Sequence, residues 1–359
     1  METAKTSRAV RPSDPASGFR KLAYTSVALT FALVIVGGVV RISDSGLGCG
    51  PAGSGTEGWP LCGGRVVPLV DANMIVEYSH RILAGSLAIL IALMALIAWR
   101  RLPEREALRR ATFAAFGLVL FQAALGGLSV EKGLEEELVA AHLGVAMLQI
   151  GLLILVAALA RRDPGAENAP ARRAGSTSRA VRMVAVAAAT AVLATIVAGG
   201  YMSASELHGT GKQEVSVHTA CGTDFPGCNG SLLPFGRSRA LDIHLTHRAF
   251  MYLASTLVLV LFALVLLQGR GRSALPPSSR DTLAAAAILV AILVSQVMLG
   301  ALNVWLGEHA WLVVVHLTVG TLLWCWLVVF SLLALGARRA EAVARRRDAQ
   351  DPTAEALPA

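Results

Sequence analysis

Residues 77–81, Glu77-Tyr78-Ser79-His80-Arg81, open a long apolar stretch of this chain and place ionisable side chains at its start. On a helix, residues three positions apart share a face, so the Glu77 carboxylate and the His80 imidazole point the same way. Burying an unpaired ionisable group inside a membrane costs free energy, so such groups usually have a partner and a function. This pair therefore predicts a functional site just inside a membrane-spanning helix.

The composition supports a membrane protein. Of 359 residues, 55% are hydrophobic, and the mean hydropathy is +0.60, which is too apolar for an ordinary soluble protein. Stretches of roughly 20 apolar residues are long enough to span a bilayer. They occur near 22–41, 75–98, 110–129, 138–160, 182–202, 243–268, 281–302 and 310–336. The sequence therefore predicts an all-α membrane protein with eight transmembrane helices.

The net charge of +8 reflects membrane topology rather than nucleic-acid binding, because the basic residues cluster in alternate connections. They include Arg20, Lys21, Arg100, Arg101, Arg105, Arg109, Arg110, Arg161, Arg162, Arg172, Arg173, Arg270, Arg272, Arg280, Arg338 and Arg339. The positive-inside rule then predicts that both termini are cytoplasmic. No cleavable signal peptide is predicted. We expect a multi-pass protein of a bacterial plasma membrane, with a mitochondrial setting as the alternative.

The two halves of the chain repeat each other in register. The matching elements are Gly37-Gly38 and Gly199-Gly200, Cys62 and Cys228, His80-Arg81 and His247-Arg248, Gln122 and Gln296, and His142-Leu143 and His316-Leu317. We expect two pseudo-symmetric four-helix bundles. The predicted divisions are a tail at 1–21, a bundle at 22–160, a cytoplasmic linker at 161–181, a bundle at 182–336 and a tail at 337–359.

Four histidines lie near the outer ends of even-numbered helices, one pair in each half: His80, His142, His247 and His316. A single intramembrane histidine is more often a hydrogen-bonded structural residue. Four that are duplicated in register favour heme ligation, because two imidazoles on facing helices can bind one heme iron.

The halves differ three residues before the first histidine of each pair, where Glu77 corresponds to His244. Iron with two histidine ligands serves electron transfer, whereas chemistry on the macrocycle needs a further acid or base. The asymmetry predicts a reacting heme in the first half and an electron-transfer heme in the second. The alternative for Glu77 is a partner that orients His80. His244 is interpreted as a neighbouring residue rather than a ligand.

Arg81 and Arg248 follow the histidines and suit bidentate carboxylate binding, so we expect them to reach toward heme propionates. Reaching to lipid headgroups is the alternative.

Four of the five cysteines fall in two long, Gly-rich outer loops, with Cys49 and Cys62 in one and Cys221 and Cys228 in the other. On an oxidising face, each pair can form a disulfide. A zinc site using Cys221 with His208 and His218 is a weaker alternative. A redox role for Cys49 and Cys62 is a more specific alternative.

Together these residues resemble the heme A synthase family, membrane enzymes that oxidise the C8 methyl group of heme O to the formyl group of heme A. The resemblance covers residues 22–336. It rests on Gly46-Leu47, Trp59-Pro60-Leu61-Cys62, Glu77-x-x-His80-Arg81, His142, the second cysteine pair, His247-Arg248 and His316.

The resemblance implies that heme B is bound by His247 and His316. It also implies that heme O enters between His80 and His142, with Glu77 essential nearby. Successive hydroxylations with water as the oxygen source are implied, as are a heme O synthase donor and a cytochrome c oxidase recipient. In bacterial relatives the first two cysteines are often closer together than Cys49 and Cys62 are here, which puts a catalytic disulfide in question.

Two rival functions fit a duplicated bundle with four histidines. One is a di-heme cytochrome b-like carrier that exchanges electrons with quinone, and the other is a heme transporter or chaperone. Glu77 in one half only, and both histidine pairs near one face, argue against the carrier. The sequence leaves open the electron acceptor, for which a quinone is one candidate, and whether the chain forms a homo-oligomer.

Overall fold

The structure is a computed structural model that describes residues 15–67, 71–161, 178–205, 217–270, 277–307 and 309–348. Several predictions concern residues outside these ranges. They are the tail through residue 14, the linker at 162–177, the part of the second outer loop that carries His208, Arg272 in the sixth connection and the last residues of the chain.

Among the described residues, eight helices long and apolar enough to cross a membrane confirm the predicted fold class. They are α1 (Pro15–Ile42), α2 (Ala72–Arg101), α3 (Glu106–Glu131), α4 (Glu136–Ala160), α5 (Arg179–Ala204), α6 (Arg239–Arg270), α7 (Pro277–Trp305) and α8 (Ala310–Asp348). The described ranges contain no β-strand longer than an isolated bridge. The chain is thus an all-helical, multi-pass membrane protein.

Local sequence explains where several helices begin and end. The Asp71 side chain accepts a hydrogen bond from the backbone N–H of Asn73 at 2.8 Å and caps α2. The Ser178 hydroxyl caps α5 in the same way. The helices also run beyond their apolar stretches, most of all α1, which begins at Pro15, and α8, which continues to Asp348. The added residues of α8 are mainly alanine, arginine and glutamate, which are good helix formers.

Each half forms a ring of neighbouring helices. In the first half, α1 and α3 each contact both α2 and α4; in the second, α5 and α7 each contact both α6 and α8. The halves meet through α1, α4, α5 and α8. The cytoplasmic location of the termini and the assignment of one heme to each half remain predictions.

A buried apolar cluster fills the contact between the halves. Met147 and Ile150 of α4 and Leu327 of α8 are fully buried there. The indole N–H of Trp324 in α8 donates to the backbone carbonyl of Met147 across this cluster, at 2.8 Å. Large apolar side chains on the outside of the helices remain exposed, as expected for lipid-facing surfaces. They include Ile82, Ile89, Leu120, Phe121, Leu259, Val294 and Leu333.

Candidate functional site

Two disulfides close the outer loops, as the cysteine count predicted. Cys49 is bonded to Cys62 and Cys221 to Cys228, and all four residues are buried. Cys325, the free cysteine of α8, lies apart from both. Because Cys221 is already bonded, the weaker zinc hypothesis loses its thiolate. The part of the chain that the structure describes holds no group of three or more histidine, cysteine or acidic side chains suited to a metal ion.

The two loops share a local structure around the second cysteine of each pair. Cys62 forms an isolated antiparallel bridge with Arg65, and Cys228 forms one with Ser231. A cis peptide bond precedes the proline two residues before each of these cysteines. The sequence repeat thus extends to the backbone of the loops.

The Glu77 carboxylate joins the first loop to α2. Its side chain is 4% exposed and accepts a hydrogen bond from the backbone N–H of Cys49 at 2.7 Å. It also forms an ion pair with Arg81. Arg81 donates further to the backbone carbonyls of Gly58, at 2.6 Å, and Leu61, at 2.8 Å. The acid is therefore buried, charge-paired and tied to the disulfide loop.

In the second half, a neutral imidazole takes the place of the acid. The Nδ1–H of His244 donates to the backbone carbonyl of Val217 at 2.8 Å, and its Nε2 accepts from Nε of Arg248 at 2.8 Å. Nη1 of Arg248 binds the carbonyls of Asp224 and Gly227. His244 therefore supports the loop through Arg248, in keeping with its interpretation as a neighbouring residue.

Both arginines thus hold loop carbonyls, a role that the sequence did not reveal. The expectation that they also reach heme propionates remains a prediction. Nη2 of Arg248 is buried and has no hydrogen-bond partner among the described residues, so this guanidinium keeps a donor for an acidic ligand group.

Each of the four histidines packs against a glycine on the preceding helix. The contacts are His80 with Gly37, His142 with Gly126, His247 with Gly199 and His316 with Gly300. A methyl group placed on these glycines would lie 3.2, 3.0, 3.0 and 3.2 Å, respectively, from Cε1 of the imidazole. In every case Nδ1 is the next nearest ring atom within 4 Å, so all four rings turn the same edge toward their glycine.

This shared orientation turns Cε1 toward each glycine, and Nε2 of His142, His247 and His316 lies 3.8, 3.9 and 4.0 Å, respectively, from the same methyl position. Nδ1–H of His247 donates to the carbonyl of Thr195 at 3.0 Å, which fixes its tautomer. Nδ1 of His80, His142 and His316 is buried, with no partner found in the described ranges. The rings of His247 and His316 lie edge to face, with their centroids 6.5 Å apart and their planes at 67°.

The residues fit a heme held by two imidazoles. A metal–imidazole bond is about 2 Å long, so a 6.5 Å centroid separation leaves room for one metal ion between the rings. Nε2 of His316 lies 3.2 Å from the amide nitrogen of Gln296. Ligation through Nε2 therefore requires that this amide turn away.

Other supporting contacts were missed from the sequence. The Gln122 amide donates to the backbone carbonyl of His142 at 2.9 Å, which supports the ligand-bearing turn of α4. A methyl group on Gly127 would lie 2.8 Å from the Trp59 ring, so the first loop rests on α3 beside the glycine that contacts His142. In the sequence, the glycine that recurs at the same position in α1, α3, α5 and α7 was the available signal for the imidazole contacts described above.

The chain is similar to known proteins over most of its length. Residues 20–328 match the COX15-CtaA family, described as cytochrome oxidase assembly protein. The chain is 30% identical over 246 residues to "Heme A synthase" of Shouchella clausii, which covers 68% of this chain and 75% of that protein. The chain is also 31% identical to the proteins of the same name from Alkalihalophilus pseudofirmus, over 252 residues, and Halalkalibacterium halodurans, over 244 residues. These matches cover 69% and 68% of this chain and 76% and 73% of the relatives. The chain therefore belongs to the COX15-CtaA family of cytochrome oxidase assembly proteins.

Proposed function

We propose that this protein is a heme A synthase, a membrane oxidoreductase that converts heme O to heme A. The observation that carries the proposal is the pairing of four glycine-packed histidines with Glu77, the one buried acid among the described residues, which lies in the first half. Family membership and relatives named for this activity support it.

In this proposal heme O is the substrate and lies between His80 and His142. The equivalent packing of these two imidazoles against Gly37 and Gly126 supports that pairing. Heme B is held by His247 and His316, whose ring centroids lie 6.5 Å apart. When bound, heme B supplies reversible one-electron transfer. Arg81 and Arg248 hold the loops closed, and the Nη2 donor of Arg248 would be available to a heme carboxylate.

The proposed chemistry is oxidation of the C8 methyl group with water as the oxygen source. Each hydroxylation adds the oxygen of one water and releases two protons and two electrons. A second hydroxylation gives a geminal diol, which loses water to leave the formyl group. Glu77 orients the attacking water and accepts a proton, since it is the acidic side chain buried beside His80. A heme held by the second half would carry these electrons toward a membrane acceptor, for which we propose a quinone.

The surrounding pathway follows from the same chemistry. A heme O synthase supplies the substrate, and cytochrome c oxidase receives the product, in keeping with the family description. We place the protein in the plasma membrane with both termini in the cytoplasm, so that the two disulfides lie on the oxidising side.

Pigment analysis tests the proposal. The protein is produced in a host that makes heme O but no heme A, and the extracted hemes are identified by mass. We expect heme A in cells with the wild-type chain and none in cells with a His80→Ala, His142→Ala variant. Unchanged heme O in the purified protein would instead support a heme carrier. Heme B alone would support a cytochrome b-like electron carrier.

A further inference from the structure

The tandem glycines of α1 and α5 contact two different neighbours. Adjacent residues on a helix point about 100° apart, so the members of a pair cannot face the same partner. In each pair the first glycine packs against an imidazole of its own half: Gly37 against His80 and Gly199 against His247. The second glycine therefore faces elsewhere.

The second glycine of each pair contacts the opposite half. A methyl group on Gly38 would lie 2.7 Å from Cδ2 of Leu317, and one on Gly200 would lie 2.8 Å from Cδ2 of Leu143. These contacts lie between α1 and α8 and between α4 and α5, two of the helix pairs through which the halves meet. Both separations are shorter than real side-chain contacts, so an added methyl group must displace the leucine side chain.

Each contacted leucine directly follows a histidine of the site. Leu317 follows His316, and Leu143 follows His142. Small residues often allow close helix packing in membranes. That general role does not explain why both glycines contact the leucine that directly follows a histidine of the site. Here the same contact occurs in both halves, with the leucine at the same position relative to the histidine.

We propose that Gly38 and Gly200 are positioning residues for the histidines of the opposite half. Gly38 acts on His316 through Leu317, and Gly200 acts on His142 through Leu143. The inference rests on the proposed function, in which these histidines bind heme. Its consequence is that the two heme sites are held in a fixed mutual position, as electron transfer between them requires. A substitution in one half should therefore disturb the heme of the other half.

The test measures how much heme each half of the purified full-length protein binds. Heme B reports the second half, and heme O or heme A reports the first, because extraction and mass analysis separate them. Gly38→Ala should lower heme B by roughly tenfold, the effect expected of an added methyl group in a packed contact, and leave the first-half heme unchanged. Gly200→Ala should give the reverse result. The optical spectrum of the remaining heme should also shift in the opposite half only.

Two sets of variants serve as controls. Gly85→Ala and Gly117→Ala place a methyl group in open space on α2 and α3 and should leave both hemes unchanged. Leu317→Val removes the Cδ2 atom nearest to Gly38 and, combined with Gly38→Ala, should restore heme B.

Several results would overturn the inference. They are loss of heme only in the half that carries the substitution, equal loss from both halves, and no loss at all. Failure of the proposed function would look different, because the wild-type protein itself would then contain no heme or produce no heme A.

Discussion

The backbone N–H of Cys49 donates a 2.7 Å hydrogen bond to the carboxylate of Glu77, which ties the buried acid to a residue of the first disulfide. The corresponding position in the second half is His244, whose ring binds the carbonyl of Val217. The two halves thus use the same construction to hold a loop over a helix end. Only the first half places an ionisable acid there, and this difference motivates the first prediction.

Glu77→Gln should slow catalysis strongly without removing heme. The amide oxygen of glutamine can still accept the Cys49 N–H, so the loop stays in place, while the proton acceptor is lost. Loss of a general base typically lowers a rate by about 10²–10⁴-fold, and we expect heme A production to fall by that order. Extracted heme A per mole of purified protein is the measurement. Glu106→Gln, which alters an exposed acid paired with Arg110, is the matched control. Wild-type heme A production by Glu77→Gln would refute the proposed role.

Removing the first disulfide should affect both stability and activity. The Cys49–Cys62 separation of 13 residues predicts a loss of about 3 kcal/mol when both cysteines become serine. Heme A production should also fall, because the Cys49 N–H positions Glu77. Serine at Cys221 and Cys228 should lower the unfolding temperature and leave the first-half heme in place. Cys325→Ala, which changes the free thiol of α8, controls for general cysteine loss. Equal heme A production with and without the first disulfide would contradict this link.

Gly126→Ala should weaken heme binding in the first half. The added methyl group would lie 3.0 Å from Cε1 of His142, and overpacking of this kind costs about 1–3 kcal/mol. Heme titration followed by optical absorbance should show an affinity roughly tenfold lower. Gly117→Ala, on the same helix but facing open space, should bind heme normally. If the two variants bind heme equally well, the Gly126 contact does not position the imidazole.

Arg81→Lys should loosen the first loop. Arginine reaches two backbone carbonyls and the Glu77 carboxylate together, and a lysine ammonium cannot match that planar arrangement. We expect a loss of about 1–3 kcal/mol from the unmade hydrogen bonds. Hydrogen–deuterium exchange of residues 55–62 should become faster. Arg110→Lys, in an exposed ion pair, should show no such change. Unchanged exchange in Arg81→Lys would mean that the disulfide alone holds the loop.

The sequence by itself determined the class of fold and the chemical inventory of the site. A membrane-spanning helix needs a long apolar run, which is a local property, so all eight helices could be read directly. The pairing of cysteines within each loop was also accessible, because each loop holds two and sequence neighbours meet easily. The register of the internal repeat placed the four histidines at equivalent helix positions, and Glu77 was conspicuous because its counterpart is His244.

Only the tertiary structure decided which groups touch. The contact of Glu77 with Cys49 depends on the path of a loop, and the contact of Gly38 with Leu317 depends on how α1 and α8 are rotated and packed. Arg81 was expected to reach toward heme carboxylates, yet its neighbours include the carbonyls of Gly58 and Leu61. Hydropathy specifies that a helix spans the membrane and says little about which of its faces meets a given partner. That choice is made by close packing of small and large side chains between helices, which no single segment encodes.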